Sequence, residues 1–260
     1  MIITSAQYFK QRPNKIISLV PSQTELLFYL GLEEEVIGIT KFCVHPQKWF
    51  KIKTRVGGTK TINIDLIKNL QPDLVIANKE ENVKEHIEEL ANEFDIWVTD
   101  VNTLNDALQM IKDISELTHK RNEASTLIKQ IESNFYQLRI HDKKIGGAYL
   151  IWQKPYMAVG GDTFISNMME HCGLQNIFKN KIRYPEITLE ELATNRCRLI
   201  LLSSEPYPFN QNNVNELQLC LPGKKIILVD GEMFSWYGSR LLLAPQYFRD
   251  IWKVICSTGK

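Results

Sequence analysis

The segment from residue 103 to residue 140 constrains the fold most, because it contains neither glycine nor proline. Its apolar residues recur three and four positions apart, as in Leu104, Leu108 and Ile111, which is the spacing of one helix face. A single helix of this length would span roughly 55 Å, which exceeds the width of a small domain. Polar residues are too frequent around 119–123 for a coiled coil. The segment is therefore predicted to be one long helix that connects two domains.

Short runs of β-branched and other apolar residues lie on both sides of this segment and are predicted to be strands. The runs are KIISLV, EVIGIT, DLVIAN, DIWVTD, GAYLIW, RLILLSS and KIILVDG. Helical patterns separate several of them, and this alternation favours parallel sheets with helices on their faces. The predicted fold class is α/β, with an N-terminal lobe over 1–102, the connecting helix over 103–141 and a C-terminal lobe over 142–260. A ligand cleft is expected between the lobes, at the carboxyl ends of the strands.

Composition and charge exclude several classes of partner. The chain has 260 residues, of which 44% are hydrophobic and 23% charged, and its formal net charge is +1. A nearly neutral chain gives no reason to expect a nucleic-acid partner. No apolar run reaches the ~18 residues that a membrane-spanning helix requires. We therefore expect no nucleic acid, no insertion into a membrane and a monomeric protein.

Two further features bear on the compartment of the protein. The N-terminal stretch MIITSAQYFKQRPNK lacks the apolar core of a signal peptide, so the chain as written is expected to be cytoplasmic unless its N-terminus was trimmed. The cysteines are scattered and odd in number, which favours reduced thiols over a disulfide framework. They are Cys43, Cys172, Cys197, Cys220 and Cys256.

The motif PSQTE follows the first predicted strand of the N-terminal lobe. Ser22 and Glu25 have the S-x-x-E spacing of a capping box, and Gly31 is predicted to end the helix. Because helix N-termini at strand ends attract polar ligand groups, the backbone at Pro21 and Ser22 is predicted to form the rim of the cleft.

No catalytic or metal-binding pattern is complete. Cys43 and His45 are weak candidates for metal ligands, since no second pair has matching spacing, and His171 and Cys172 form only an adjacent pair. Neither G-x-S-x-G nor H-E-x-x-H occurs. The chain is predicted to have no resident metal and no covalently bound cofactor, and not to be an enzyme. An enzyme that uses Cys43 and His45 is the remaining alternative.

The segment DGEMFSWYGSRLLLAP is the most informative part of the C-terminal lobe. Phe234, Trp236 and Tyr237 offer flat apolar surfaces directly after a strand, and Arg240 offers a planar permanent charge. They are predicted to bind a ligand. In the alternative, the aromatic residues seal the edge of the lobe and Arg240 pairs with a nearby acid.

Several motifs, taken in order, resemble the helical-backbone substrate-binding proteins of ABC importers. They are ISLVPSQTELLFYLGLEEEVIGIT, INIDLIKNLQPDLVIAN, CGLQNIF, YPEITLEEL and WYGSRL. The resemblance covers about residues 15 to 250 and is strongest to the vitamin B12-binding members, with siderophore- and haem-binding members further off. It implies two Rossmann-like lobes, a rigid connecting helix and a flat macrocycle held by aromatic and loop contacts.

The resemblance also implies site residues. By position, the ligand-binding loops of the B12-binding members fall on Phe42, Thr59, Asn78, Tyr184, Phe234 and Arg240. Thr59 and Asn78 stand where those members have tryptophans, so two stacking surfaces are missing here. The carboxylates that dock the permease of such importers fall on Asp65 and Glu190.

The predicted function is therefore capture of a metal-chelate ligand for an ABC permease. The expected ligand is cobalamin or another corrinoid, with haem or a ferric siderophore as second choices. The family implies a periplasmic or extracytoplasmic location. The alternative is a cytosolic protein of the same fold that binds or senses a tetrapyrrole or metal chelate without a permease.

Overall fold

The computed structural model describes residues 1–3, 12–138 and 144–257. Two compact units are present. Unit 1 comprises Met1–Val101, Asn105–Gln130 and Tyr237–Arg240, and unit 2 comprises Asn102–Leu104, Ile131–Trp236 and Leu241–Lys260. The domain ranges predicted from the sequence, 1–102, 103–141 and 142–260, stay a prediction.

Unit 1 contains a fully parallel six-stranded sheet of order β1-β6-β5-β2-β3-β4. Its strands are β1 (Ile2–Ile3), β2 (Ile16–Ser18), β3 (Val36–Ile39), β4 (Thr54–Arg55), β5 (Leu74–Asn78) and β6 (Ile96–Thr99). Its helices are α1 (Pro21–Tyr29), α2 (Gln47–Ile52), α3 (Ile64–Leu70), α4 (Lys84–Ala91) and α5 (Leu104–Leu117), and α6 (Arg121–Tyr136) begins in this unit. Every residue of β5 is buried, as expected for a strand covered on both faces.

Unit 2 contains a five-stranded sheet of order β11-β10-β7-β8, with β9 also paired to β7. Its strands are β7 (Ile145–Trp152), β8 (Met157–Ala158), β9 (Leu174–Asn176), β10 (Leu199–Ser203) and β11 (Lys225–Val229). Its helices are α7 (Phe164–His171), α8 (Leu189–Ala193), α9 (Gln211–Cys220), α10 (Glu232–Ser235) and α11 (Ala244–Cys256). Only β8 is antiparallel among these described pairings. Mainly parallel α/β sheets, as predicted, are thus confirmed.

The prediction of one continuous connecting helix is wrong, because α5 ends at Leu117 and α6 begins at Arg121. Between them His119 has a φ of 57°, in the left-handed region that a right-handed helix cannot contain. The N–H of Lys120 instead reaches back to the carbonyl oxygen of Ser115 at 2.8 Å, a wide turn of the kind that closes helix ends. Glycine usually occupies this position, so the histidine did not indicate a helix end in the sequence.

The carboxyl ends of parallel strands meet at one edge of each sheet, and this edge positions the candidate site residues. In unit 1 the edge carries the residues that follow β2, β3, β5 and β6. In unit 2 it carries the residues that follow β7, β10 and β11. Within the described ranges, no helix is both long enough and apolar enough to cross a membrane.

Candidate functional site

The turn into α1 is not built as the sequence predicted. Val20 is the N-cap residue and makes no side-chain cap hydrogen bond, and Pro21 takes the first helical position. Ser22 is therefore already inside the helix, so the predicted capping box of Ser22 and Glu25 is wrong. Pro21 explains the shift, since it lacks an N–H and its fixed φ suits the first turn. Gly31 has a φ of 75° just after the helix, which confirms it as the stop.

The Glu25 carboxylate pairs with Arg240. Arg240 donates from Nε to Glu25 Oε2 at 3.0 Å and from an Nη atom to Glu25 Oε1 at 2.6 Å, a bidentate arrangement. The side chains of Arg240 and Glu25 are 9% and 20% exposed. The sequence analysis gave two roles for Arg240, contact with a ligand or pairing with an acid. The structure shows a pair with the acid Glu25.

The segment Tyr237–Arg240 lies against α1 within unit 1. Gly238 has a φ of 117°, and a Cβ there would lie 3.2 Å from Leu26 Cβ and 3.3 Å from the carbonyl oxygen of Ser22. Tyr237 is buried, and its burial raises the pKa of its phenol well above the ordinary value. A glycine is therefore required for the segment to approach the start of α1, where Pro21 is partly exposed.

Phe42 is an aromatic residue that is exposed at the carboxyl edge of unit 1. It lies in the loop that follows β3, and it is 50% exposed. The Lys41 Nζ atom lies 5.2 Å from the centroid of the Phe42 ring. An exposed ring at a strand end is a surface on which a flat ligand can stack.

Thr59 and Asn78 are buried polar residues of the same unit. Asn78 donates from Nδ2 to the carbonyl oxygen of Thr99 at 3.1 Å, and its Oδ1 accepts from the N–H of Glu80 at 2.8 Å. The backbone carbonyl of Thr59 accepts from Asn82 Nδ2 at 3.1 Å. These bonds close the loops after β4 and β5, so both residues shape the edge of the sheet.

Cys43 lies in a hydroxyl-lined interior position. Thr24 Oγ1 donates to Cys43 Sγ at 3.1 Å, and Thr40 Oγ1 lies 3.2 Å from the same sulfur. Burial raises the pKa of the Cys43 thiol, which disfavours the thiolate needed for metal binding or nucleophilic attack. His45 is partly buried and precedes a cis proline, Pro46. Across residues 1–3, 12–138 and 144–257, no three acidic, histidine or cysteine side chains form a metal-sized cluster.

Phe234 belongs to the core of unit 2. Its side chain is 0% exposed, and its ring centroid lies 5.2 Å from that of Tyr149 and 4.9 Å from that of Phe248. The Tyr149 hydroxyl donates to Ser203 Oγ at 3.0 Å, which ties this aromatic cluster to the end of β10. Phe234 is therefore a buried aromatic residue, as the alternative of a sealing role expects, and its contact with a ligand stays a prediction.

Glu205 follows β10 and organises the aromatic loop of unit 2. Its Oε1 atom accepts from Ser235 Oγ at 2.7 Å and from the indole Nε1 of Trp236 at 3.1 Å. A Cβ at Gly231 would lie 2.5 Å from Glu205 Cγ, so this glycine makes room for the carboxylate stem. Burial, with Glu232 and Asp230 nearby, raises the pKa of Glu205 above the usual 4.5. Sequence reasoning missed this residue.

We expect Glu205→Gln to make the protein more stable than the wild type at pH 7 but not below pH 4. Burial raises the pKa of Glu205 in the folded state above its pKa in the unfolded state. The free energy of unfolding therefore falls as pH rises from the unfolded-state pKa through the folded-state pKa. Glutamine keeps the Oε1 acceptor for Ser235 and Trp236 and cannot ionise. Urea unfolding at both pH values measures the difference. The exposed Glu132→Gln serves as control, and an equal gain at both pH values would contradict the prediction.

Two further aromatic residues lie near strand ends of unit 2. Tyr184 is partly buried on a segment held to β8 by the bond from the Ala158 N–H to the Pro185 carbonyl oxygen at 3.0 Å. Trp152 ends β7, is 41% exposed, and has its ring 5.5 Å from that of Tyr207. Sequence reasoning missed Trp152, although its position directly after the run GAYLI was a usable signal.

Asp65 and Glu190 are both exposed and lie in the first turns of α3 and α8. Asn63 caps α3, and Thr188 and Glu191 form a capping box at the start of α8. A hydrogen bond with Thr188 lowers the pKa of Glu190. Both side chains are therefore accessible to a partner.

Known proteins resemble this chain over most of its length. A family model described as "Periplasmic binding protein" matches residues 16–219. The vitamin B12-binding protein of Pectobacterium carotovorum subsp. carotovorum (strain PC1) is 26% identical over 242 residues, covering 90% of this chain and 86% of the relative.

Two solved structures have the same fold. The periplasmic vitamin B12 binding protein BtuF of Vibrio cholerae has a TM-score of 0.79 at 20% identity, covering 95% of this chain and 99% of that one. The periplasmic heme binding protein HutB of Vibrio cholerae has a TM-score of 0.79 at 17% identity, covering 94% and 99%. The family model confirms the resemblance stated from the sequence motifs, and with it the prediction of a ligand-binding protein rather than an enzyme. The chain belongs to the periplasmic binding protein family.

Proposed function

We propose that this protein captures a flat metal-chelate macrocycle, cobalamin or another corrinoid, and delivers it to an ABC permease. The observation that carries the proposal is the match of nearly the whole chain to proteins named for vitamin B12 binding. Haem is the second candidate, because haem-binding proteins share the fold equally well. Such relatives favour an import receptor outside the cytoplasmic membrane over a cytosolic sensor without a permease.

The site that we propose divides into contacting and supporting residues. The contacting residue of unit 1 is Phe42, and the candidate contacting residues of unit 2, taken by itself, are Tyr184 and Trp152. The backbone at Pro21 and Ser22 forms the rim. The supporting residues are buried and stabilise the loops that follow the strands. They are Thr59, Asn78, Phe234, Trp236, Tyr237 and Arg240.

Equilibrium titration tests the ligand. The purified protein is titrated with cobalamin, cobinamide, haem and a ferric hydroxamate siderophore, and tryptophan fluorescence or heat is followed. We expect a dissociation constant at micromolar level or below for a corrinoid. Phe42→Ala is expected to weaken it about tenfold, the loss of one stacking surface of about 1.4 kcal/mol.

Tyr136→Ala is the matched control, because Tyr136 is an exposed aromatic residue at the end of α6 and not at a strand end. It should leave the dissociation constant unchanged. Binding of haem alone would reassign the ligand, and no binding of any of the four would overturn the proposal.

Asp65 and Glu190 are the proposed docking carboxylates for the permease. In cells that depend on this protein for uptake, the double variant Asp65→Ala, Glu190→Ala should bind ligand normally but fail to support transport. Normal uptake by the double variant would remove both residues from the docking surface. Fractionation of the native protein to the cytosol, together with normal uptake, would favour the sensor instead.

A further inference from the structure

Lys41 places a positive charge beside the exposed ring of Phe42. Its Nζ atom lies 5.2 Å from the ring centroid, within the range of a cation–π contact. Both side chains are exposed at the carboxyl edge of unit 1. A ligand that touches the Phe42 ring therefore has an ammonium group within reach.

The backbone and a glycine fix the position of this pair. The Lys41 N–H donates to the carbonyl oxygen of Gly57 at 2.8 Å. A Cβ at Gly58 would lie 3.2 Å from Phe42 Cε2 and 3.3 Å from Lys41 Cε. The aliphatic part of Lys41 and the ring of Phe42 thus both pack against Gly58. This packing fixes the positions of the two side chains relative to the loop.

The ammonium of Lys41 differs from those of three other lysines of unit 1 in its partners. Lys79 pairs with Asp100 at 2.9 Å, Lys60 donates to the backbone carbonyl of Glu80, and Lys48 pairs with Glu33. Among the described residues of the chain, no carboxylate forms an ion pair with Lys41. A cation held beside an aromatic ring without an acid of its own can donate all its N–H groups to an incoming anion.

We propose that Lys41 binds an anionic substituent of the macrocycle that stacks on Phe42. This inference rests on the proposed function and adds to it a ligand class, a flat ring that bears a phosphate or carboxylate. In cobalamin the anion is the phosphodiester of the nucleotide loop. In haem it is a propionate carboxylate.

The test compares ligands that differ in this anion. Lys41→Met keeps an apolar stem of similar length and removes the charge. We expect it to weaken cobalamin about tenfold and to leave cobinamide, which lacks the phosphodiester, unchanged. Haem and its dimethyl ester form the corresponding pair for the carboxylate source. Lys41→Arg should restore most of the affinity, since it restores the charge.

Salt and a control variant complete the design. The dissociation constant of the wild type for the anionic ligand should rise with salt more steeply than that of Lys41→Met, because exposed charges are screened. Lys51→Met, an exposed lysine of α2, should behave like the wild type. If Lys41→Met lost the same affinity for ligands with and without the anion, or lost none for either, the role of Lys41 would be overturned and the proposed function would stand. A wild type that binds no macrocycle would overturn the proposed function and this inference together.

Discussion

Glu25→Ala is expected to lower the free energy of unfolding by about 3 kcal/mol, because it removes the carboxylate that pairs with a nearly buried guanidinium. Arg240, whose side chain is only 9% exposed in the wild type, loses two charge-assisted hydrogen bonds, at 3.0 and 2.6 Å. The bond joins α1 to a segment 215 residues later in the chain, so its loss also loosens Tyr237–Arg240. Urea unfolding followed by circular dichroism measures the change.

A double-mutant cycle separates the ion pair from the packing around it. Arg240→Met together with Glu25→Ala should cost less than Glu25→Ala alone, because an apolar stem replaces a charge that has lost its two hydrogen bonds to Glu25. Glu25→Gln keeps one acceptor oxygen and should fall between the wild type and Glu25→Ala. A stability of Glu25→Ala within about 0.5 kcal/mol of the wild type would contradict the structural role of the pair.

Phe234→Ala is expected to destabilise the protein by about 3–5 kcal/mol, the cost of removing a fully buried aromatic side chain. The cavity would open between Tyr149 and Phe248, whose ring centroids lie 5.2 and 4.9 Å from that of Phe234. Phe234→Leu fills part of the cavity and should cost less. Denaturant midpoints of the two variants test this order.

This variant also distinguishes the two roles considered for Phe234. A core residue changes stability first, and ligand affinity only through the loop that follows it. Leu219→Ala is the control, since Leu219 is an apolar residue at 85% exposure in α9, and it should change stability by less than about 0.5 kcal/mol. Normal stability with lost ligand binding in Phe234→Ala would show that the ring contacts ligand and is not a core residue.

The two corrections have different causes. The S-x-x-E spacing of Ser22 and Glu25 is present, but Pro21 places the N-cap at Val20, two residues before Ser22, and Glu25 pairs with Arg240 instead. The break at His119 has no local signal, since neither glycine nor proline precedes it. At α1 one local preference, that of proline for the first helical position, overrode another. At His119 a backbone angle without a local signal ends the helix.

The candidate site divides in the same way. Phe42 was predicted only through the resemblance, although its place directly after a strand, where it is exposed, is a further signal. Trp152 had the same signal but no counterpart in the resemblance that directed attention to the other residues. Arg240 and Phe234 were predicted to bind a ligand, and both make contacts within the protein. Arg240 pairs with Glu25, and the ring of Phe234 packs against that of Tyr149.

The sequence by itself determined the α/β class, the parallel sheets and the family, because strand and helix periodicity and short motifs are local properties that need no knowledge of distant residues. Only the tertiary structure decided which charges are paired, which rings are buried and where the long helical segment breaks. A bond such as that between Glu25 and Arg240 depends on two positions brought together by the whole fold, and spacing along the chain carries no record of it.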